Sequence, residues 1–598
     1  AVIALGFSPR WNALTAWLQS PAPAHAWARL GGAALFLGAF AFILLARQFL
    51  AGYFADLHIP TLWLAAWGSL LGAAGLRLLT RQPWAFALAG MLLTAGVLAK
   101  AVSLSTSISD SPLSLGWSEA SRFYYASLFF AERLYGQPLP LSILHPTRYF
   151  LQSFPFIFDG LSIEAHRAWQ VFLWLALTAG AGWALVQRLG IRPRFAAWLA
   201  GAWFFLYLFQ GAVYYHLLVM VIVVLLGAST RRPWQTLLVV LLASLWAGVS
   251  RVNWFPVPAL LATALYLLEQ PVGRERHWLR YITWPAIWFA AGVAAALAAQ
   301  SAYIFLSGNA SNAEAFASSF TSDLLWYRLW PSPTYPLGTI PGIVIVSAPL
   351  VAVLAACLRG RLGDWHPIRL VGLGSILLVL LGGGMVVSVK IGGGGDLHNM
   401  DAFITLLGVV TAVAFLGRAV PDAGEPTPAR PWLAVIAAVL IPVYFSLQAY
   451  NPVFTPRSDY DDFVVAEIRA VLEPAAAQGK QSLLITQRQL ITFGTVNIPL
   501  APDYEVVSLM EMAMSRNEKV LGQFYRDLDE RRYAYIVVSP LFLAYKGADS
   551  PFGEENDVWV RYVAAHLACE YEPINTFEAA QVQILAPKVP NPNCPAQP

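Results

Sequence analysis

The chain has 598 residues, of which 58% are hydrophobic and 12% charged, with a formal net charge of +4. So much apolar surface excludes an ordinary soluble globular protein and marks a polytopic α-helical membrane protein. With no basic tract that would suit a polynucleotide, a nucleic-acid partner is not expected, and neither is a cleavable signal peptide.

Hydropathy predicts about 13 membrane-spanning helices. In chain order they cover 28–49, 60–79, 84–104, 166–186, 195–210, 212–229, 234–250, 252–269, 281–305, 339–358, 369–390, 398–417 and 431–450. Basic residues punctuate alternate turns: Arg77 and Arg81; Arg188, Arg192 and Arg194; Arg231 and Arg232; Arg274, Arg276 and Arg280; Arg359, Arg361 and Arg369; Arg418 and Arg430. All of them fall on one side if the N-terminus is cytoplasmic, as the positive-inside tendency demands of a multi-pass protein of the cell (inner or plasma) membrane. The other side then carries the long segment 105–165, the junction 250–254, the loop 306–338 and the stretch 390–401. From about Asn451 the composition turns polar. Residues 1–450 are thus read as a transmembrane domain and 451–598 as a soluble extracytoplasmic α/β domain. Its expected strands are 482–486, 535–539 and 581–585, and its expected helices 463–472, 509–529 and 557–569. Of three cysteines, Cys357 lies in an apolar run and is read as inert. Cys569 and Cys594 fall in the polar part, where a disulfide between them is left open.

Ionisable residues at membrane ends on the side where arginine is disfavoured point to function. In the segment 105–165, Ser118 is expected to cap a helix running to about Tyr135, with Gly136 and Pro138 as its stop. Glu119 sits in its first turn and shares a face with Arg122. Phe123, Ala126, Phe130 and Leu134 give it an apolar stripe, as in a helix lying at the membrane surface. Glu119 or Asp110 is the candidate general base for an acceptor hydroxyl; the bland alternative pairs Glu119 with Arg122. Arg148 and Arg251 suit phosphate oxygens, for which a planar guanidinium is well shaped. Asn253 is a candidate for sugar or phosphate. Trp326 and Tyr327 offer faces for a sugar, or simply anchor at the interface. Lys390 is followed by Gly392–Gly395 and then Asp396, His398, Asn399 and Asp401. Glycines there let backbone amides approach an anion. Lys390 and His398 are candidates for phosphate, and Asp396 and Asn399 for substrate. Whether Asp396, His398 and Asp401 hold a divalent metal is open; no cofactor is required by the pattern.

The run Trp117-Ser-Glu119-Ala-Ser-Arg122-Phe-Tyr-Tyr-Ala-Ser-Leu-Phe-Phe-Ala-Glu-Arg-Leu-Tyr-Gly136 resembles the acidic residue and aromatic-rich helix of the lipid-linked-sugar glycosyltransferases of the GT-C superfamily. The stretch Lys390–Asn399 is similar to a late loop that contacts donor phosphate in some members. The resemblance implies a membrane enzyme that takes a polyprenyl-phosphate sugar from the lipid phase. The acceptor would be a glycan, a lipid or a protein. Glu119 would act as base or acceptor-orienting carboxylate, with Arg122, Arg148, Arg251, Lys390 and His398 near the donor phosphate. The acidic loop follows the third expected helix, where the family's follows the first, and the acidic position reads Ser-Glu where the family reads Asp-Glu or Asp-X-Asp. Two other classes remain in view: a transporter or flippase of lipid-linked glycans, and a non-catalytic scaffold among membrane protein partners.

Overall fold

The computed structural model describes residues 26–54, 58–272, 277–309, 316, 321–359, 361–423, 431–451 and 453–589. Arg274, Arg276, Arg430 and Cys594 lie outside them. Each expected span overlaps a helix, from Ala26–Phe54 and His58–Thr80 near the start to Trp432–Gln448. Among the described residues seven helices are long and apolar enough to cross a membrane: Trp84–Ser105, Ile163–Leu189, Val252–Glu269, Trp278–Leu306, Thr339–Leu358, Pro367–Ser388 and His398–Phe415. The chain is a multi-pass membrane protein with a small sheet domain at its C-terminal end. The helix Asp401–Phe415 runs through the middle of the bundle, with every residue from Asp401 to Val413 buried.

Membrane helices gain little from the hydrophobic effect against one another, so close backbone approach matters. Gly248 shows this: a Cβ there would lie 2.1 Å from the Ala296 carbonyl oxygen on the helix Trp278–Leu306. Gly32 and Gly75 do the same for the first helix pair, where a Cβ on Gly75 would meet the Gly32 carbonyl at 2.6 Å.

The helix Ile163–Leu189 shows how the two ends of the bundle differ. It starts at the long polar segment, with Ser162 accepting from the Ala165 amide. It ends at Arg188, which pairs with Glu269 at 2.7 Å. At that same end Arg369 binds Asp422 and the carbonyls of Leu267, Leu268 and Val420. The other end carries the C-terminal domain.

That domain has a four-stranded sheet in the order β1-β2-β4-β3, with β1 Ser482–Leu484, β2 Tyr535–Val538, β3 Tyr571–Phe577 and β4 Val582–Pro587. β1 and β2 are parallel, β2 and β4 antiparallel, and β3 pairs antiparallel with β4 across an irregularity at Pro573/Asn575. β3 was not expected: its residues are mostly exposed and include a proline, which suits an edge strand and leaves no apolar signal. The expected helix 509–529 is two helices, Val506–Met514 and Glu518–Asp529, because Arg516 adopts φ +53 and Asn517 caps the second through the Val520 amide. Cys569 is disulfide-bonded and Cys357 is free.

The domain closes over three polar segments at its end of the bundle. Ser114 N–H donates to Gln487 and Gln489 donates to the Pro112 carbonyl. The hydroxyls of Ser121 and Tyr125 donate to Glu505, which also accepts from the first amides of the helix Val506–Met514. Arg328 grips Glu555 at 2.7 Å and Glu554 at 2.9 Å, and the Gly392 amide donates to Glu555 at 2.8 Å. Burial alone would raise the Glu555 carboxyl. The hydrogen bonds and charge of Arg328, with the Gly392 amide, carry it below its ordinary value.

Two outcomes follow. Gly248→Val forces the helices Pro233–Gly248 and Trp278–Leu306 apart and destabilises the protein by about 1–3 kcal/mol, read as a lower Tm in detergent. For Glu555 the folded carboxyl titrates below its unfolded value of 4.5, so its contribution is complete above that pH and disappears as the pH falls below it. The Tm difference between wild type and Glu555→Gln should therefore be constant near neutrality and shrink toward zero in acid.

Candidate functional site

The expected long helix is shorter. An α-helix covers Glu119–Ser127, a 3-10 turn Leu128–Phe130 and a last short helix Ala131–Tyr135, which Gly136 ends at φ +70. Ser118 makes no side-chain cap. The helix is not spread on a lipid surface. It is buried between Pro146–Gln152 and the C-terminal domain, with Tyr124, Tyr125 and Tyr149 clustered around Leu500.

Glu119 is buried and does not pair with Arg122. Its partner is Arg167, fully buried at the start of a membrane helix, with Nε–Oε1 3.0 Å and Nη2–Oε2 2.9 Å. Oε2 also accepts from the Leu115 amide at 2.7 Å. Arg167 donates its other bonds to the carbonyls of Ser109, Ser111 and Leu113. Sequence reasoning missed Arg167. It was counted within an expected span, and that position, an arginine at the start of an apolar run, is the one signal that pointed to it.

With Glu119 engaged elsewhere, Arg122 faces a different neighbourhood. Its Nε has no hydrogen-bond partner among the described residues, nor has the Nε of Arg148. Burial first, and then the charge of Arg148, hold Arg122 below its usual value. Arg148 stacks on the Tyr214 ring, 4.8 Å from its centroid. Tyr214 is also the hub for three imidazoles: His145 at 6.3 Å, His216 at 5.8 Å and His398 at 6.0 Å between centroids. The backbone of His145 is left-handed at φ +49. Burial and the charges of Arg251 and Arg148 press its imidazole well below its normal value, so it stays neutral. Thr147 ties this helix to the junction 249–251, through its amide to Val249 and its hydroxyl to Ser250 at 2.6 Å. That tie brings Arg251 into the group. Arg251 donates to Asp401 at 3.1 Å and to Asn399.

Arg122, Arg148, Arg251, His145, His216 and His398 thus converge at the covered end of the bundle. His145 and His216 were not among the expected site residues. Among the described residues, the buried Arg148 and the half-buried Arg122 have donors left over and no carboxylate bonded to them. An uncompensated buried charge costs several kcal/mol, and an anion such as phosphate, two of whose oxygens can accept from one planar guanidinium, satisfies it best.

The glycine-rich stretch is adjacent. Asp396 accepts from His398 twice, from its amide at 2.8 Å and from Nδ1 at 2.5 Å. Partial desolvation would raise the Asp396 carboxyl, but the hydrogen bonds from His398 bring it below its ordinary value. Asn399 bridges the Arg251 guanidinium and the Gly393 carbonyl. Asn253 lies on the turn Val252–Trp254, its Oδ1 buried without a partner among the described residues. Other expected residues are placed elsewhere. Lys390 ion-pairs with Glu511 of the C-terminal domain at 2.8 Å. Tyr327 donates to Glu554 at the same seam, and Trp326 is half exposed. Asp110 accepts from the Arg457 amide and lines a separate cavity of about 450 Å³ with Arg133, Asp159, His166 and Phe493. Among the described residues no three His, Cys, Asp or Glu side chains are grouped to hold a metal ion. Asp396 is bonded to His398 and Asp401 to Arg251.

No protein-family model matches the chain, and no curated protein matches it. Among solved structures it is similar to ArnT from Cupriavidus metallidurans in the apo state, at 13% identity and a TM-score of 0.42. It is similar also to the same protein bound to undecaprenyl phosphate, at 13% identity and a TM-score of 0.40. Each likeness covers 83% of this chain and 97% of that one.

Removing one partner of the buried Glu119–Arg167 pair should be costly, and removing both much less so. Glu119→Gln and Arg167→Met are each expected to lower stability by about 3–5 kcal/mol. In the double variant Glu119→Met/Arg167→Met, the loss is smaller than the sum of the two, as thermal unfolding in detergent will read.

Proposed function

We propose that this chain transfers a sugar from a polyprenyl-phosphate donor to an acceptor hydroxyl on the extracytoplasmic face of a membrane. The observation that carries this is the pair Arg122 and Arg148, half-buried and buried, without carboxylate partners among the described residues, and gathered with Arg251 and three histidines at one end of a membrane bundle. A polyprenyl phosphate is an anion delivered from lipid, and its phosphate is the leaving group of the reaction. Negative charge builds on that phosphate as the anomeric C–O bond breaks. Fixed guanidiniums there stabilise the transition state more than the ground state.

The resemblance of Trp117–Gly136 to the GT-C acidic segment supports the same reading. Glu119 then serves the site through structure. By holding Arg167 it fixes the first turn of its helix, and so the direction of Arg122. Asn253 and Asn399 are suited to sugar hydroxyls beside the phosphate. The C-terminal domain covers this end and limits the access of water, which strengthens the charge interactions buried beneath it. A flippase would be expected to carry ionisable groups midway along its helices; those of this cluster lie at or near helix starts and in the loops before them.

The test is release of undecaprenyl phosphate from a panel of undecaprenyl-phosphate hexoses and pentoses. The protein is held in vesicles of phosphatidylethanolamine and phosphatidylglycerol, with a lipid and glycan extract of bacterial membranes as the acceptor pool. Arg148→Ala is expected to lower the rate by about 10²–10³-fold, with Arg148→Lys between it and wild type. Wild-type protein that releases nothing from any donor, or an Arg148→Ala variant as fast as wild type, overturns the reading.

A further inference from the structure

We infer that His398, oriented by Asp396, is the general base that takes the proton from the acceptor hydroxyl. This rests on the transferase reading and assigns within it a role that Glu119 is not placed to fill. Both Glu119 oxygens are bonded to Arg167, and one also holds the Leu115 amide. Asp401 is fully buried, with one oxygen on Arg251 and the other on the Ala402 amide. Asp110 lines the separate cavity described above.

His398 has the geometry that these carboxylates lack. Its Nδ1 meets an oxygen of Asp396 that also accepts the His398 amide. A carboxylate oxygen only accepts, so Nδ1 carries the hydrogen and the lone pair is left on Nε2. Nε2 has no hydrogen-bond partner among the described residues. The ring is held in place from one side by Gly394, where a Cβ would lie 2.7 Å from His398 Cε1. From another side it meets the edge of Tyr214, whose ring also carries Arg148. Base and phosphate-binding guanidinium therefore flank one aromatic ring. The Asp396 side chain is 61% exposed, against 18% for His398, so the dyad stands at the mouth of the cluster.

The transfer balances without any co-reactant. The acceptor O–H gives its proton to His398 Nε2, and the acceptor oxygen forms the new bond to the anomeric carbon. The anomeric C–O bond to phosphate breaks, and its electron pair stays on the phosphate oxygen beside Arg122 and Arg148. Asp396 stabilises the imidazolium until the proton passes to water at the exposed side. His398 is thus the catalytic residue of the pair, and Asp396 a positioning residue.

The same release assay tests this, with glycerol as a defined hydroxyl acceptor beside the extract, and with binding of undecaprenyl phosphate measured separately. His398→Gln is expected to lose roughly 10²–10⁴-fold in kcat, with undecaprenyl phosphate affinity within threefold of wild type. Asp396→Asn is expected to keep part of the rate and to move the acidic limb of the kcat profile to lower pH. Three results overturn the assignment while wild type remains active. In the first, His398→Gln keeps the wild-type rate and pH profile. In the second, His398→Gln loses phosphate affinity in step with rate, which makes His398 a phosphate ligand. In the third, which decides the matter if His398→Gln does not fold, the pH profile of Asp396→Asn is unchanged. Wild-type protein inactive on every donor overturns the transferase reading, and this assignment with it.

Discussion

Much of the arrangement depends on one buried guanidinium. Arg167 uses all five of its N–H groups: two on Glu119, and one each on the carbonyls of Ser109, Ser111 and Leu113. A buried ion pair is stable only when its remaining donors and acceptors are satisfied, and here the polar segment itself satisfies them. The chain from Ser109 to Glu119 is wound around the head of a membrane helix. It enters the helix Glu119–Ser127 at a fixed angle. Arg122 lies one turn further along, where the charge of Arg148 reaches it. A carboxylate that the sequence offers as a base thus acts on the site from outside it, through backbone placement.

The C-terminal domain continues the same logic at the glycine-rich stretch. Four glycines before Asp396 would leave a free loop with no preferred conformation. Here the loop is held from outside. The Gly392 amide is on Glu555, Lys390 is on Glu511, and Asn399 closes back on the Gly393 carbonyl. Arg328 holds Glu555 in turn, from a loop nearly 70 residues earlier. The dyad of Asp396 and His398 is therefore as well ordered as the seam between the two parts of the protein. The domain contributes to the site by fixing a membrane loop, with none of its described residues in the cationic cluster.

The helices and the presence of a C-terminal sheet domain were legible in the sequence because each depends on local composition. An apolar run of about 20 residues reports itself, and so does a change to polar, alternating sequence after Asn451. The placement of Arg148, Arg251, Asp396 and His398 near one another was legible only as a grouping on one side of the membrane. What was not legible depends on partners distant in sequence. Glu119 and Arg122 share a helix face, yet the stronger partner for Glu119 is Arg167, supplied by the next membrane helix. Lys390 carries the right charge for a phosphate, but its partner Glu511 is on the C-terminal domain. β3 escaped because an exposed edge strand has no periodic apolar face to show.

The arginines at the two ends of the bundle separate structure from chemistry by how many donors they have left. Arg369, at the end away from the domain, commits four of its five N–H groups to three carbonyls and Asp422, nearly as saturated as Arg167 at the other end. A saturated guanidinium has nothing to offer a ligand, and its conformation is fixed by bonds already made. Arg148 is buried as well and Arg122 half-buried, but among the described residues their Nε atoms have no partner and no carboxylate bonds them. Arg251 stands between, bonded to Asp401 and Asn399 while its charge reaches His145. Buried charge is costly in either case, and a fold has no structural use for leaving it unneutralised when Asp401 shows that a carboxylate can be supplied a few residues away. The difference in donor saturation therefore points to an anion from outside the chain, which binds where the unsatisfied guanidiniums converge.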